Sequence, residues 1–449
     1  MEMSPTRGGA EEEDQTREAS VDRESGAATN GGKGTWRHAA FHVATTIATP
    51  AAYAPLPFAL VSLGWPLGVS SLVIGTLVTW CSSLVLASLW EWNGEKHTSY
   101  RLLAKSIFGP WAYWYVSFFQ QVASVGNNIA IQIAAGSSLK AIYKHYYTAD
   151  DGAMTLQHFI LLFGALELFL SQLPDIHSLR WVNATCTAST IGFAGTAIAI
   201  TIYEGHRIDR NQVGYSVQGT TGTKIFAGFN ALGTIAFSFG DAMLPEIQST
   251  LREPARRNMY KGVSTAYSLI VMSYWTLAFS GYWAFGSQVQ PYILSSLTTP
   301  AWAIVMANIF AVIQIIGCFQ IYCRPTYALF EESRQAQKKA GYRASLWRLM
   351  YTSVYMAALT LITAAIPFFG DFVSVCGAVG FTPLDFVLPV LLFLKVGKLP
   401  KNNPGLRRAI KTLGSSAAVL FSVFGALACI GAIRAIVLHV KTYKFFHDI

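Results

Sequence analysis

The chain has 449 residues, of which 52% are hydrophobic and only 13% charged, where a soluble domain carries roughly a quarter charged residues. With a mean hydropathy of +0.37, that balance excludes an ordinary soluble globular domain and predicts an all-α polytopic membrane protein. The net charge of +9 does not point to nucleic acid, because Lys and Arg sit in short segments between apolar runs, where such residues set topology.

Residues 1 to about 34 are rich in Glu, Asp, Ser, Gly and Thr, the composition of a disordered tail. The tail lacks the basic start and apolar stretch of a signal peptide. Its Gly31-Gly32-Lys33-Gly34-Thr35 lacks the ending and the preceding strand of a phosphate loop. From Trp36 onward come eleven apolar runs near or above the ~20 residues that span a hydrocarbon core. They are read at about 36–63 (broken), 66–91, 111–138, 156–173, 178–203, 223–250 (broken), 260–285, 301–330, 347–366, 371–394 and 412–438.

Lys and Arg favour the tail and segments 92–110, 174–180, 251–261, 331–348 and 394–411 over segments 139–155, 203–224 and 439–449 by roughly three to one. The amino terminus is therefore expected in the cytosol and residues 439–449 outside. The segment from Trp92 to Phe108 mixes Lys96, Arg101 and Lys105 with Leu102, Leu103 and Ile107, which predicts an amphipathic helix on the inner membrane face. Trp36, Trp65, Trp90 and Trp92 read as interface anchors. All six cysteines fall inside apolar runs, so no disulfide framework is implied. The sequon Asn183-Ala184-Thr185 falls on the side read as cytosolic and is expected to be unused.

Two of the runs are interrupted by residues that cannot continue a helix, about 190 residues apart. The first break is Ile47-Ala48-Thr49-Pro50-Ala51-Ala52-Tyr53-Ala54-Pro55-Leu56-Pro57, and the second is Ala236-Phe237-Ser238-Phe239-Gly240-Asp241-Ala242-Met243-Leu244-Pro245. Unwound backbone at membrane depth exposes N–H and C=O groups that protein, water or ligand must satisfy. A matched pair of breaks in two halves of a chain points to a central binding site between them.

Ionisable residues inside the runs also need a reason to be there, since each costs roughly 2.5–3.5 kcal/mol to insert at mid-membrane. Asp241 lies within the second break and Glu246 about one turn beyond it. A carboxyl group in a dry site holds a proton more readily than one in water, so Glu246 first and Asp241 second are the proton-carrying candidates. Arg324 is either a fixed cation or a partner of one of these acids, or it snorkels to the interface. Glu167 and Asp385 are weaker candidates, with Asp385 read as orienting the tenth span. Asn127 and Asn128 lie mid-span in the third run, where they line the site or bond between helices.

Several further stretches join the two breaks. They are Ala40-Phe41-His42, Leu63-Gly64-Trp65, Leu244-Pro245-Glu246-Ile247-Gln248, Gly281-Tyr282-Trp283-Ala284-Phe285-Gly286, Pro367-Phe368-Phe369-Gly370-Asp371, Pro383-Leu384-Asp385-Phe386-Val387-Leu388-Pro389-Val390 and Thr442-Tyr443-Lys444. Together they resemble the amino acid/auxin permease family of the amino acid-polyamine-cation superfamily, above all its plant GABA-transporter branch, with the lysine/histidine transporters next. The resemblance covers the chain from about Gly34 to its carboxyl end. It implies a leucine-transporter-type five-plus-five inverted repeat plus one extra helix, with helices 1 and 6 discontinuous. The repeats would fall at about 36–203 and 223–394, the extra helix at 412–438, all within a transporter domain at 35–438. It also implies proton-driven uptake of amino acids at the plasma membrane. Three proline positions (Pro50, Pro55, Pro57), Arg324 and Glu167 depart from the residues that relatives carry.

A free amino acid presents a carboxylate, which suits the N–H groups at half-helix starts, and an ammonium, which suits unwound carbonyls and hydroxyls. The expected substrate contacts are therefore Thr46, Thr49, Ala51, Ala52 and Tyr53 on one side and Phe237, Ser238 and Gly240 on the other, flanked by Asn127 and Asn128. The expected partners are a small amino acid such as GABA, a proton and membrane lipid, with no cofactor, no metal and no nucleic acid. Sodium coupling, another solute (proline, a cationic amino acid, an auxin) and a non-transporting receptor of the same fold stay open. An enzyme is not expected, because His-Glu-x-x-His, Gly-x-Ser-x-Gly and clustered metal ligands are all missing from the sequence.

Overall fold

The computed structural model describes residues 32–147, 154–172, 180–217, 219–241, 243–335, 342–397, 400 and 402–443. The side chains of residues 180–184, 331–335 and 342–345, and of Arg324, Ala328 and Thr442, lie outside that description. So does the proposed amino-terminal tail, apart from Gly32, Lys33 and Gly34, and the chain beyond Tyr443.

The described chain is helical apart from one short hairpin and its loops. Helix α1 (Trp36–Ile47) stops where Ala48 and Thr49 leave helical geometry, and Thr49 is extended because the next residue is a proline. Pro50 opens the single turn α2 (Pro50–Tyr53), where its missing N–H costs nothing. Helix α3 (Leu56–Leu89) is kinked at Gly64, whose φ of 70° only glycine adopts readily, so it is two helices joined at a corner.

The hairpin β1 (Glu91–Trp92) and β2 (Glu95–Lys96) precedes α4 (Tyr100–Phe108). Long helices α5 (Pro110–Tyr146), α6 (Leu156–Leu170) and α7 (Arg180–Arg207) lead to α8 (Thr221–Ser238). After a non-helical stretch the chain resumes as α9 (Leu244–Ser249), with Pro245 in its first turn. Then come α10 (Ala255–Phe285), α11 (Ala301–Gln335) and α12 (Tyr342–Ala365). Helix α13 (Phe369–Val375) runs into a π-helical segment (Cys376–Val387) and on into α14 (Leu388–Val396), and α15 (Pro404–Thr442) closes the fold.

Among the described residues, five helices are long and apolar enough to cross a membrane by length and composition. Helix α5 is not one of them because its buried face carries Gln120, Asn127, Asn128 and Gln132, which dilute its hydropathy while serving the interior.

Glycines bring backbones together where the breaks meet their neighbours. A Cβ at Gly262 of α10 would lie 2.5 Å from the Cβ of Ala39 on α1. One at Gly377 in the π segment would lie 1.8 Å from the Gly233 carbonyl oxygen of α8. Small residues at such crossings are how helices pack when burial against lipid gives no drive.

Two expectations change. Trp92 to Ser99 is not helical: Asn93 (φ 57°) and Gly94 (φ 83°) turn the hairpin, as an Asn-Gly pair favours. The helix that follows buries Tyr100, Leu103, Ala104 and Ile107 against protein and leaves Leu102 exposed. Trp90 is buried rather than an interfacial anchor.

Replacing Gly262 with alanine is expected to destabilise the protein by about 1–3 kcal/mol through overpacking, read as a lower apparent melting temperature in detergent. Gly228→Ala is the control, since its Cβ would meet only Leu63 at 3.7 Å. Equal melting temperatures for the two variants would show that the α1–α10 contact is not tight.

Candidate functional site

The first break frees main-chain carbonyls, and hydroxyl groups from other helices meet them. Tyr274 of α10 donates to the Ile47 carbonyl at 2.8 Å. Tyr322 of α11 donates to the Thr46 carbonyl, and Ser238, the last residue of α8, to the Ala52 carbonyl. At the second break the Asp241 N–H donates to Asp385 Oδ2 in the π segment at 3.1 Å, and the Met243 N–H donates to Asp241 Oδ1 at 3.2 Å. The two breaks are thus tied to each other and to α10, α11 and the π segment.

Between them lies a cavity of about 40 Å³, where roughly 10–15 Å³ holds one water molecule. Of the residues expected to contact substrate, Thr46, Thr49, Ala52, Asn127, Phe237 and Gly240 line it, and so does Asp241. Ala51, Tyr53, Asn128 and Ser238 do not. Tyr53 is buried with its ring 5.1 Å from that of Phe193. Asn128 Nδ2 turns away to Cys323 Sγ and the Tyr355 hydroxyl, each at 3.3 Å. Ser238 is spent on the Ala52 carbonyl. Arg324 is a helical residue of α11 whose side chain lies outside the described residues, although its neighbour Pro325 lines the cavity.

Sequence reasoning missed Gln120, Ser124, Tyr322 and Phe381 in the cavity wall. The first two could have been found: stepping back from Asn127 by three and seven residues keeps to one helical face and reaches Ser124 and Gln120. Phe381 had no such signal, because a π segment breaks the periodicity by which faces are counted. Its ring covers Gly240, where a Cβ would lie 2.2 Å away, and it meets the Phe237 ring edge-on at 5.7 Å.

The polar atoms left over define the chemistry. Asn127 Nδ2 and Asp241 Oδ2 are buried with no partner among the described residues, and both residues line the cavity. One is a donor and the other an acceptor, the pair that a carboxylate and an ammonium would complete. Glu246 is off the cavity: its Oε1 accepts from the Tyr100 N–H at 3.3 Å, and its Oε2 is buried without a partner. Glu167 is buried far along α6, with Oε2 accepting from Gln320 Nε2 at 2.8 Å, and belongs to the wall of the bundle rather than to the site. Among the described residues no group of His, Cys, Asp and Glu could hold a metal ion.

The two ends of the site differ. Beyond α9 the chain is drawn shut: the Gly34 N–H donates to the Thr250 carbonyl at 3.0 Å, and the Arg252 N–H to the Gly34 carbonyl at 2.8 Å. Lys96 pairs with Glu253 there, and its ammonium holds the Glu253 carboxyl below the usual carboxylate range. At the opposite end, where α8 begins, a cavity of about 750 Å³ opens between α3, α8, α13 and α15.

Residues 32–438 match the model of the family described as transmembrane amino acid transporter protein. The chain belongs to that family. It is 35% identical over 431 residues to GABA transporter 1 of Arabidopsis thaliana, covering 93% of this chain and 94% of that protein. It is 30% identical over 420 residues to lysine histidine transporter-like 1 of the same plant, with 92% and 90% covered. Among solved structures it is similar to a Na+-coupled sialic acid symporter in its substrate-bound outward-open state, with a TM-score of 0.54, 12% identity, and 93% and 92% of the two chains covered. It is also similar to MhsT in complex with L-phenylalanine, with a TM-score of 0.56, 11% identity, and 89% and 100% covered. Those two likenesses concern the fold alone.

As a member of an amino acid transporter family, the chain is an integral membrane protein and not an enzyme, and its substrate class is the amino acids. In this transporter, Gly240→Leu places a side chain on the Phe381 ring and drives it into the cavity. Equilibrium binding of the transported amino acid is expected to fall more than tenfold, while the variant still elutes as a folded protein. Wild-type affinity in that variant would move the site elsewhere.

Proposed function

We propose that the protein is a proton-coupled symporter that imports a small neutral amino acid or related zwitterion, such as GABA, by alternating access around its two breaks. The observation that carries this reading is the unpaired donor and acceptor, Asn127 Nδ2 and Asp241 Oδ2, in the wall of one small cavity. The substrate carboxylate would sit against Asn127 and the start of α2 at Thr49 and Ala52. The ammonium would sit against Asp241 and the end of α8 at Phe237 and Gly240. The small volume favours a compact solute, and the 35% identity to a protein named GABA transporter 1 favours GABA itself.

The same reading takes the chain as eleven spans in a five-plus-five inverted repeat with α15 as the extra helix. The α9 end is then cytosolic, the broad cavity extracellular, and the plasma membrane the site of action. Asp241 takes the proton beside the substrate, and Glu246, one turn nearer the cytosol, passes it on. A protonated Asp241 keeps a carbonyl oxygen that accepts from the ammonium, so proton and substrate occupy the site together. In the same reading Arg324 is the fixed cation of the coupling route.

The energetics suffice. A membrane potential of 100 mV supplies about 2.3 kcal/mol per charge, and at 1.36 kcal/mol per decade one proton supports a gradient on the order of fifty-fold. In proteoliposomes, tritiated GABA should accumulate under an imposed pH gradient, acid outside, with or without sodium. Uptake that needs sodium and ignores the pH gradient would overturn the coupling assignment, and binding without any flux would favour a receptor.

Glu246→Gln cannot exchange a proton but keeps the shape of the side chain. It should retain exchange of internal for external substrate while losing pH-driven accumulation. Undiminished accumulation in that variant would remove Glu246 from the proton route.

A further inference from the structure

Three aromatic rings stand in the wall of the central cavity among the described residues, those of Phe237, Tyr322 and Phe381. Tyr322 spends its hydroxyl on the Thr46 carbonyl, and Phe237 lies at the end of α8, where the second break begins. Phe381 belongs to neither break and has no polar side-chain atom, so its ring contributes shape alone. That shape is backed by protein. A Cβ at Gly377 would lie 1.8 Å from the Gly233 carbonyl oxygen of α8, and one at Gly380 would lie 2.8 Å from the Ala123 Cα of α5. Cys376 Sγ donates to the Ala123 carbonyl at 3.3 Å. Thr382 Oγ1 donates to the Gly377 carbonyl at 2.9 Å, five residues back, which is the interval of a π turn. The main chain behind the ring is therefore in close contact on two sides. In front, the ring lies on Gly240, where a Cβ would come within 2.2, 2.3 and 2.8 Å of three of its carbons.

We infer that Phe381 is the residue that limits the size of the substrate side chain: its ring fills the space into which the side chain of a bulky α-amino acid would project. The ligand is then a compact one, such as glycine, alanine or an unbranched ω-amino acid. The inference rests on the reading above, which sets the carboxylate on Asn127 and the ammonium on Asp241. With those two poles taken, the apolar corner of Phe237 and Phe381 is left for whatever else the ligand carries. In a cavity of about 40 Å³ that corner has little room. Each methylene that an apolar pocket accepts or refuses changes selectivity roughly 10–200-fold, so one ring is enough to sort the amino acids by side chain.

The test measures equilibrium binding of tritiated glycine, alanine, GABA, leucine and phenylalanine to the purified full-length wild type, Phe381→Ala, Phe381→Leu and Gly240→Leu. Wild type should bind leucine and phenylalanine at least about tenfold more weakly than the best of the three compact ligands. In Phe381→Ala both bulky ligands should gain at least about tenfold relative to the compact ones, with Phe381→Leu in between. A ring that served packing alone would weaken all five ligands alike when removed. An unchanged order of ligands in Phe381→Ala overturns the inference, and so does a wild type that binds phenylalanine as tightly as the compact ligands. If Phe381→Ala does not elute as a folded protein, the order in Phe381→Leu decides in the same way. If Gly240→Leu binds every ligand as wild type does, or wild type binds none of the five, the reading of the central site fails and the inference with it. If Gly240→Leu loses binding while the order in Phe381→Ala is unchanged, the site stands and the inference alone falls.

Discussion

Main-chain polar groups set free in the middle of an apolar bundle are the constraint around which this protein is arranged. Each unpaired group at such depth costs several kcal/mol, and two breaks release many at once. The cost is met by reach. Tyr274, Tyr322 and Ser238 bring hydroxyl hydrogens to three carbonyls of the first break, and Asp385 brings an acceptor to the second. Each donor or acceptor belongs to a different element from the group it satisfies, so the breaks dictate where α8, α10, α11 and the π segment must stand. Of the residues that line the central cavity, Asn127 and Asp241 each keep a buried polar atom without a partner among the described residues.

Much of this arrangement was legible in the residues. Proline at positions 50, 55 and 57 and the Phe-Gly-Asp run at 239–241 announce where helices must stop, because proline has neither the N–H nor the freedom to continue one. The lining role of Asn127 was legible too, and carries Ser124 and Gln120 with it by periodicity. Neighbouring residues were harder. Asn128 sits next to Asn127 yet points into the wall, since successive helical side chains diverge by about 100°. Ala51 and Ser238 sit at the breaks but face the packing seam, and a sequence without a backbone trace cannot say which side of a turn faces inward.

Asp385 shows a different limit. Its setting between Pro383 and Pro389 suggested a role in shaping its own helix, whereas its carboxylate is spent on the backbone of another. A π segment of twelve residues, Cys376–Val387, advances each side chain by less rotation than an α-helix does. Phe381 therefore points at Gly240 from a position that α-helical counting would misplace. The Asn93-Gly94 pair was legible and was outweighed by the amphipathic pattern around it, a case where two residues of turn chemistry decide against a longer periodic signal.

The contact between Gly233 and Gly377 has a consequence for how such a molecule can move. With only 1.8 Å between a virtual Cβ and the facing carbonyl oxygen, the two helices touch backbone to backbone, with no side chain between them to act as a bearing. Phe381, carried one turn beyond that contact, is geared to α8: any tilt that shifts the ceiling of the solute chamber must carry its aromatic cover along in the same stroke.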